Sequence, residues 1–115
     1  MISRSLAIIA LTGWALPALP HHGWSEYDSS QALTLTGKII ESGYEHPHGH
    51  IKLQTANKIW NAVLAPPTRM ENRGLPKDAL KVGNTATVVG YPNRNKPDEM
   101  RAERITVEGK TVELR

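Results

Sequence analysis

The chemistry-bearing side chains of this chain are concentrated in histidine. All five imidazoles fall between residues 21 and 50 of 115, as the pair His21-His22 and the alternating run His46-Pro47-His48-Gly49-His50. Imidazole without thiolate suits copper, zinc or nickel, and copper(II) heads the affinity order of the divalent ions. Short histidine-rich tracts point to metal binding. In an extended chain His46, His48 and His50 share one face, with successive Cα atoms about 7 Å apart. Ile51 and Leu53 have the other parity, so that face turns away from the core. Pro47 and Gly49 argue against a regular strand, since proline has no N–H to donate and glycine permits a sharp bend. A bent segment can fold two imidazoles onto one ion.

Other residues can support such a site. Met70 and Met100 offer soft thioethers for copper(I), and Trp24 can stack on a cation beside the histidine pair. Glu26, Asp28 and Glu45 can orient imidazoles by accepting their second N–H. Each has an ordinary alternative: packing for the methionines, a hydrophobic anchor for Trp24, solvated charge for the carboxylates. If processing made His21 the first residue, its amine and imidazole would chelate copper as a brace suited to redox catalysis. A small-residue cleavage site selects Ala18 instead. That cut leaves Leu19-Pro20-His21, and Pro20 lacks the N–H that a square-planar chelate must lose. No glycine-rich phosphate loop, GxSxG or HExxH is present, and the expected role is binding without turnover.

Composition narrows the setting. Met1 to Arg4 is a short basic start, Leu6 to Leu16 an apolar run, and Ala18 a small residue for cleavage. This is the three-part pattern of a secretory signal over 1–18, too short for a spanning helix of ~20 apolar residues. A periplasmic or secreted protein is expected, with no stable membrane span after cleavage. The remainder, an arm over 19–31 and a domain over 32–115, is long enough for one modest core. Fourteen basic against eleven acidic residues, with no basic run interleaved with aromatics, does not favour nucleic acid as a partner. Cysteine is absent, which excludes thiolate zinc sites, iron–sulfur clusters and c-type haem attachment.

The elements that must position the histidines are strands. Leu33, Leu35 and Ile39 alternate with polar residues, but Ile40 follows Ile39 directly, so a bulge is expected near Gly37 to Ile40. A hairpin follows, with strands from about His50 to Gln54 and Lys58 to Leu64 around an Ala56-Asn57 turn. Pro66-Pro67 stops it. Thr68 and Glu71 have capping-box spacing for a short helix ending at Gly74. Further strands are expected over Thr85 to Tyr91, Met100 to Val107 and Thr111 to Leu114. The expectation is an all-β fold: a small five- to six-stranded OB-like barrel with a short helix between strands 3 and 4.

Several blocks resemble a known family: HHGWSEYD, GKIIESGYEHPHGHIKL, LAPPTRMENRGL, LKVGNTATVVGYP and EMRAERITVEGKTVELR. The chain resembles, over nearly all of its mature length, a family of small exported bacterial proteins of unknown function with a post-signal HHGWS motif and a central E-(N/H)-P-H motif. His46 stands where that family usually has asparagine. The resemblance therefore puts the weight on His48 with His21 and His22, leaving His46 and His50 as further candidates. The expected barrel is also similar in outline to small periplasmic copper-efflux chaperones, an analogy of fold and residue types. The function expected is copper capture or delivery, with zinc or nickel as other metals. The alternative is a metal-free OB-type binding module for an envelope ligand or partner protein, with Trp24, Tyr27, Tyr44 and Trp60 as contacts.

Overall fold

A computed structural model describes residues 23–115, and the segment before Gly23, which includes His21, His22 and the expected signal, lies outside the described residues. Six strands follow: β1 (Leu33–Gly43), β2 (His50–Gln54), β3 (Ile59–Val63), β4 (Thr85–Pro92), β5 (Glu99–Val107) and β6 (Lys110–Glu113). Hydrogen bonding runs β3-β2-β1-β4-β5-β6, and a parallel β3–β5 pairing through Ala62 and Met100 closes the first five into a barrel. β6 extends the sheet beyond β5 as an extra strand. Closure removes the open edges a flat sheet would expose. The expected OB-like barrel with a helix between strands 3 and 4 is what the chain forms.

Alternation decides which residues fill the interior. Ile39, Ile51, Leu53, Ala62, Val88 and Ile105 have no exposed surface. The bulge expected in β1 is present: Ile39 pairs with Leu53, Glu41 with Lys52, and Ile40 is the extra residue. A second slip occurs where Val89 pairs with Arg104 but Gly90 with Ala102, leaving Glu103 extra on β5. The slip in β5 keeps Met100 and Ala102 inward on one side and Ile105 and Val107 on the other, while the slip in β1 turns Glu41 outward after the buried Ile39.

The short helix α1 (Pro67–Asn72) corrects one expectation. Its N-cap is Pro66, without a side-chain cap bond, so the Thr68–Glu71 capping box does not form. Pro67 takes the first helical position, where its fixed φ is already helical and its missing N–H is not needed. The C-terminal stop is as expected. Gly74 adopts φ 90°, its N–H donates to Glu71 O, and the Leu75 N–H donates to Met70 O, which is a Schellman ending. Met70, Leu75 and Leu80, the last from a 3-10 turn over Lys77–Leu80, all enter the core.

Burial makes these positions unequal. Leu53→Ala is expected to lower the unfolding free energy by about 3 kcal/mol in denaturant melts, through lost transfer energy and a residual cavity. Val82→Ala, on the exposed turn, is expected to change it by less than about 0.5 kcal/mol.

Candidate functional site

The histidine run lies where β1 ends and β2 begins. His50 opens β2, and His46 to Gly49 form the bend before it, as Pro47 and Gly49 led us to expect. Gly49 is tied down from both sides: its N–H donates to Ala65 O at 2.9 Å and its carbonyl accepts from Leu64 N at 2.8 Å. The flanking histidines are thereby held on a fixed backbone. His48 and His50 are half-buried and line one cleft of about 360 Å³ with Glu41, Pro47, Lys52 and Asn61. Ile51 and Leu53 face inward, so the cleft lies on the outer face of the barrel.

Gly43 shapes this cleft. It pairs with His50 across β1 and β2, and a Cβ built there would collide with the His50 ring. The imidazole therefore lies across the β1 backbone in space that only glycine leaves.

The other candidates separate. His46 and Glu45 are exposed on the bend and do not line the cleft. Met70 and Met100 have no exposed surface and belong to the core, so both take the packing role. The Met70 methyl sits directly beneath Gly49, where an added Cβ would approach it to 2.6 Å. Among the described residues, no three His, Asp or Glu side chains are grouped to hold an ion. The HPHGH run by itself thus brings two imidazoles to one cleft and leaves the third outside.

The arm is more structured than the extended segment expected. A 3-10 turn covers Trp24–Glu26, and Tyr27 bridges to Asn93 with 1% exposure. Tyr27 is in effect a core residue; its hydroxyl donates to Glu99 Oε2 at 2.5 Å, and Asn93 Nδ2 donates to the same oxygen at 3.3 Å. Burial, and then the Glu99 bond and charge, push the Tyr27 hydroxyl far above the usual tyrosine range. Asp28 accepts from Ser30 and Gln31, bonds that lower its pKa, so it orders the arm and not an imidazole. Arg94 Nε donates to Ser25 O, and the Arg94 N–H to Glu26 O.

Trp24 does stack on cations, and both belong to the chain. The Arg101 guanidinium lies 4.5 Å and that of Arg115 4.3 Å from the ring centroid, with Tyr91 edge-on at 6.3 Å. Arg101 is 7% exposed, and burial lowers its pKa, with Arg69 and Arg115 adding like-charge repulsion. The register places it close to the histidines: His50 pairs with Val63, and Val63 with Arg101. Glu41, Lys52 and Asn61 were not anticipated as cleft residues. The available signal was the phase slip at Ile40, which turns Glu41 outward into line with His50.

The arm's anchor is testable by pH. An unfolded tyrosine ionises near ~10. The folded pKa is raised, so the contribution of Tyr27 is whole below ~10 and is lost as pH climbs above it. Tyr27→Phe is expected to cost about 2 kcal/mol at neutral pH, because Glu99 loses a bond to a charged acceptor. It should also flatten the alkaline loss of stability, read by denaturant melts between pH 8 and 11 (roughly the range of tyrosine ionisation).

Comparison with known proteins adds the fold and a family. The crystal structure of the TiaS–tRNA(Ile2)–ATP complex matches with a TM-score of 0.52 at 21% identity, over 77% of this chain and 20% of that one. The crystal structure of the ZRD-deleted mutant of TiaS in complex with agmatine matches with a TM-score of 0.52 at 21% identity, over 76% of this chain and 25% of that one. The chain thus spans a quarter or less of those proteins, and the likeness is one of fold alone. No curated protein matches the chain. Among the described residues no helix is long and apolar enough to cross a membrane. A family model covers residues 9–101, and the chain belongs to that family, DUF6152, a family of unknown function.

Proposed function

We propose that this protein is exported and captures or delivers a transition-metal ion without turnover. Copper suits the site first, with zinc and nickel as other metals. The ligands are His48 and His50 in the cleft, completed by His21 and His22 from the arm. The observation that carries this reading is the register His50–Val63–Arg101, with Trp24 stacked on Arg101. Two strand spacings separate Arg101 from His50, roughly 10 Å. His22 and His21 stand two and three residues before Trp24, a reach of at most roughly 7 and 10 Å of chain, to which the imidazoles add their own length. The reading requires the arm's histidines to span the distance from Trp24 to the cleft.

The donor set supports the choice of metal. Imidazole nitrogens, with no thiolate in the chain, suit copper(II), zinc and nickel. Export is supported by the basic start, apolar run and small residue at Ala18. A metal-free binding module would have to work without Tyr27, which is buried, and without the Trp24 ring faces that Arg101 and Arg115 occupy. A redox role would additionally require His21 at the mature N-terminus, which N-terminal mass determines.

Competition titration of the exported protein provides the test. One copper(II) per chain is expected, weakened in a His21→Ala, His22→Ala, His48→Ala variant by more than the roughly 100-fold that loss of a supporting group costs. Unchanged affinity in that variant would contradict the reading. Ligating imidazole must be neutral, so uptake is expected to weaken as pH falls through ~6.5. Gly43→Ala retains every imidazole but forces the His50 ring aside. It is expected to lower affinity about tenfold with the melting temperature unchanged.

A further inference from the structure

We propose that Glu41 is the carboxylate of this site and that Lys52 is the counter-ion a bound cation displaces, an inference that rests on the metal-binding reading above. Glu41 and Lys52 pair directly across β1 and β2, one residue pair along the outer face from Gly43 and His50. Both line the cleft that holds His48 and His50. Their side chains approach to 4.0 Å and are 57% and 43% exposed. An ion pair so open to water contributes little and exchanges readily.

The backbone explains how a carboxylate comes to face the histidines. In an uninterrupted strand Glu41 and Gly43 would share the parity of Ile39, which is wholly buried, and would point into the core. The extra residue Ile40 reverses that phase, turning Glu41 toward the cleft and Gly43 toward His50. One bulge thus supplies both a carboxylate and the space for an imidazole. Glu45, the carboxylate closer in sequence, stays exposed on the bend. In the described geometry Glu41 faces Lys52 and is not grouped with His48 and His50 around an ion, so it must turn away from that ammonium to meet one.

The chemistry of the donors then selects an oxidation state. A carboxylate oxygen beside imidazole nitrogens is a hard-to-borderline set that suits divalent ions, whereas copper(I) is drawn to thioether or thiolate. Both described methionines, Met70 and Met100, are packed in the core and do not line the cleft. The site is accordingly one for copper(II) and similar divalent ions in preference to copper(I).

Competition titrations of the full exported protein with copper(II), and with copper(I) under reductant, test this on Glu41→Gln and Lys52→Ala. Melting temperatures establish that each variant is folded. Glu41→Gln is expected to weaken copper(II) binding about tenfold and to leave copper(I) binding unchanged, while Lys52→Ala strengthens copper(II) binding. Wild-type copper(II) affinity in Glu41→Gln, or weaker binding in Lys52→Ala, would overturn the role of this pair while leaving the histidine site standing. Tighter binding of copper(I) than copper(II) by the wild-type chain would overturn the oxidation-state preference. Absence of copper binding by the wild-type chain would instead overturn the metal reading itself.

Discussion

One extra residue in the first strand governs both the core and the cleft. Ile40 lets Ile39 remain in the barrel interior opposite Leu53 while Glu41 and Gly43 turn outward opposite Lys52 and His50. Side chains alternate with a period of two, so without that slip a charge would enter the core and the His50 ring would lose its place over Gly43. The bend also belongs to the curvature a five-stranded barrel needs before β3 can pair with β5. Closure of that pair sets Arg101 two strands from His50, which in turn fixes where the arm docks. Core, cleft and arm are therefore consequences of the same register.

The arm is held by polar bonds and stacking as well as by burial. Tyr27 fills a core position, and its hydroxyl satisfies a Glu99 carboxylate that is 9% exposed. A buried charge left without such a partner would be costly, which makes the anchoring contact specific to this position. Trp24, flanked by Arg101 and Arg115, adds a second attachment nearer the histidine pair. Tyr27 and Trp24 together fix the start of the described chain against β4 and β5.

Much of the fold was legible in the sequence because period-two alternation, turn residues and the double-isoleucine slip are local signals. The bend at Pro47 and Gly49 and the outward face of His50 followed from the same signals. The helix start was misread because Thr68 and Glu71 satisfy a spacing rule, whereas Pro66-Pro67 settles the helix two residues earlier. Packing for Met70 and Met100 was already an ordinary reading of the sequence, whereas the buried role of Tyr27 was not legible, since it depends on a contact distant in sequence, with Glu99. Glu41 and Lys52 were overlooked for a related reason. Their position follows from continuing the phase slip past Ile40 and pairing the result with β2, a step that needs register as well as pattern.

The most direct measurement is X-ray absorption of the protein loaded with one equivalent of copper(II), which counts the imidazoles around the ion. At least three are expected, two from the cleft and the remainder from the arm, with one lost on His48→Ala. An ion surrounded by fewer than two imidazoles, or a spectrum indifferent to His48→Ala, would contradict a site shared between the cleft and the arm.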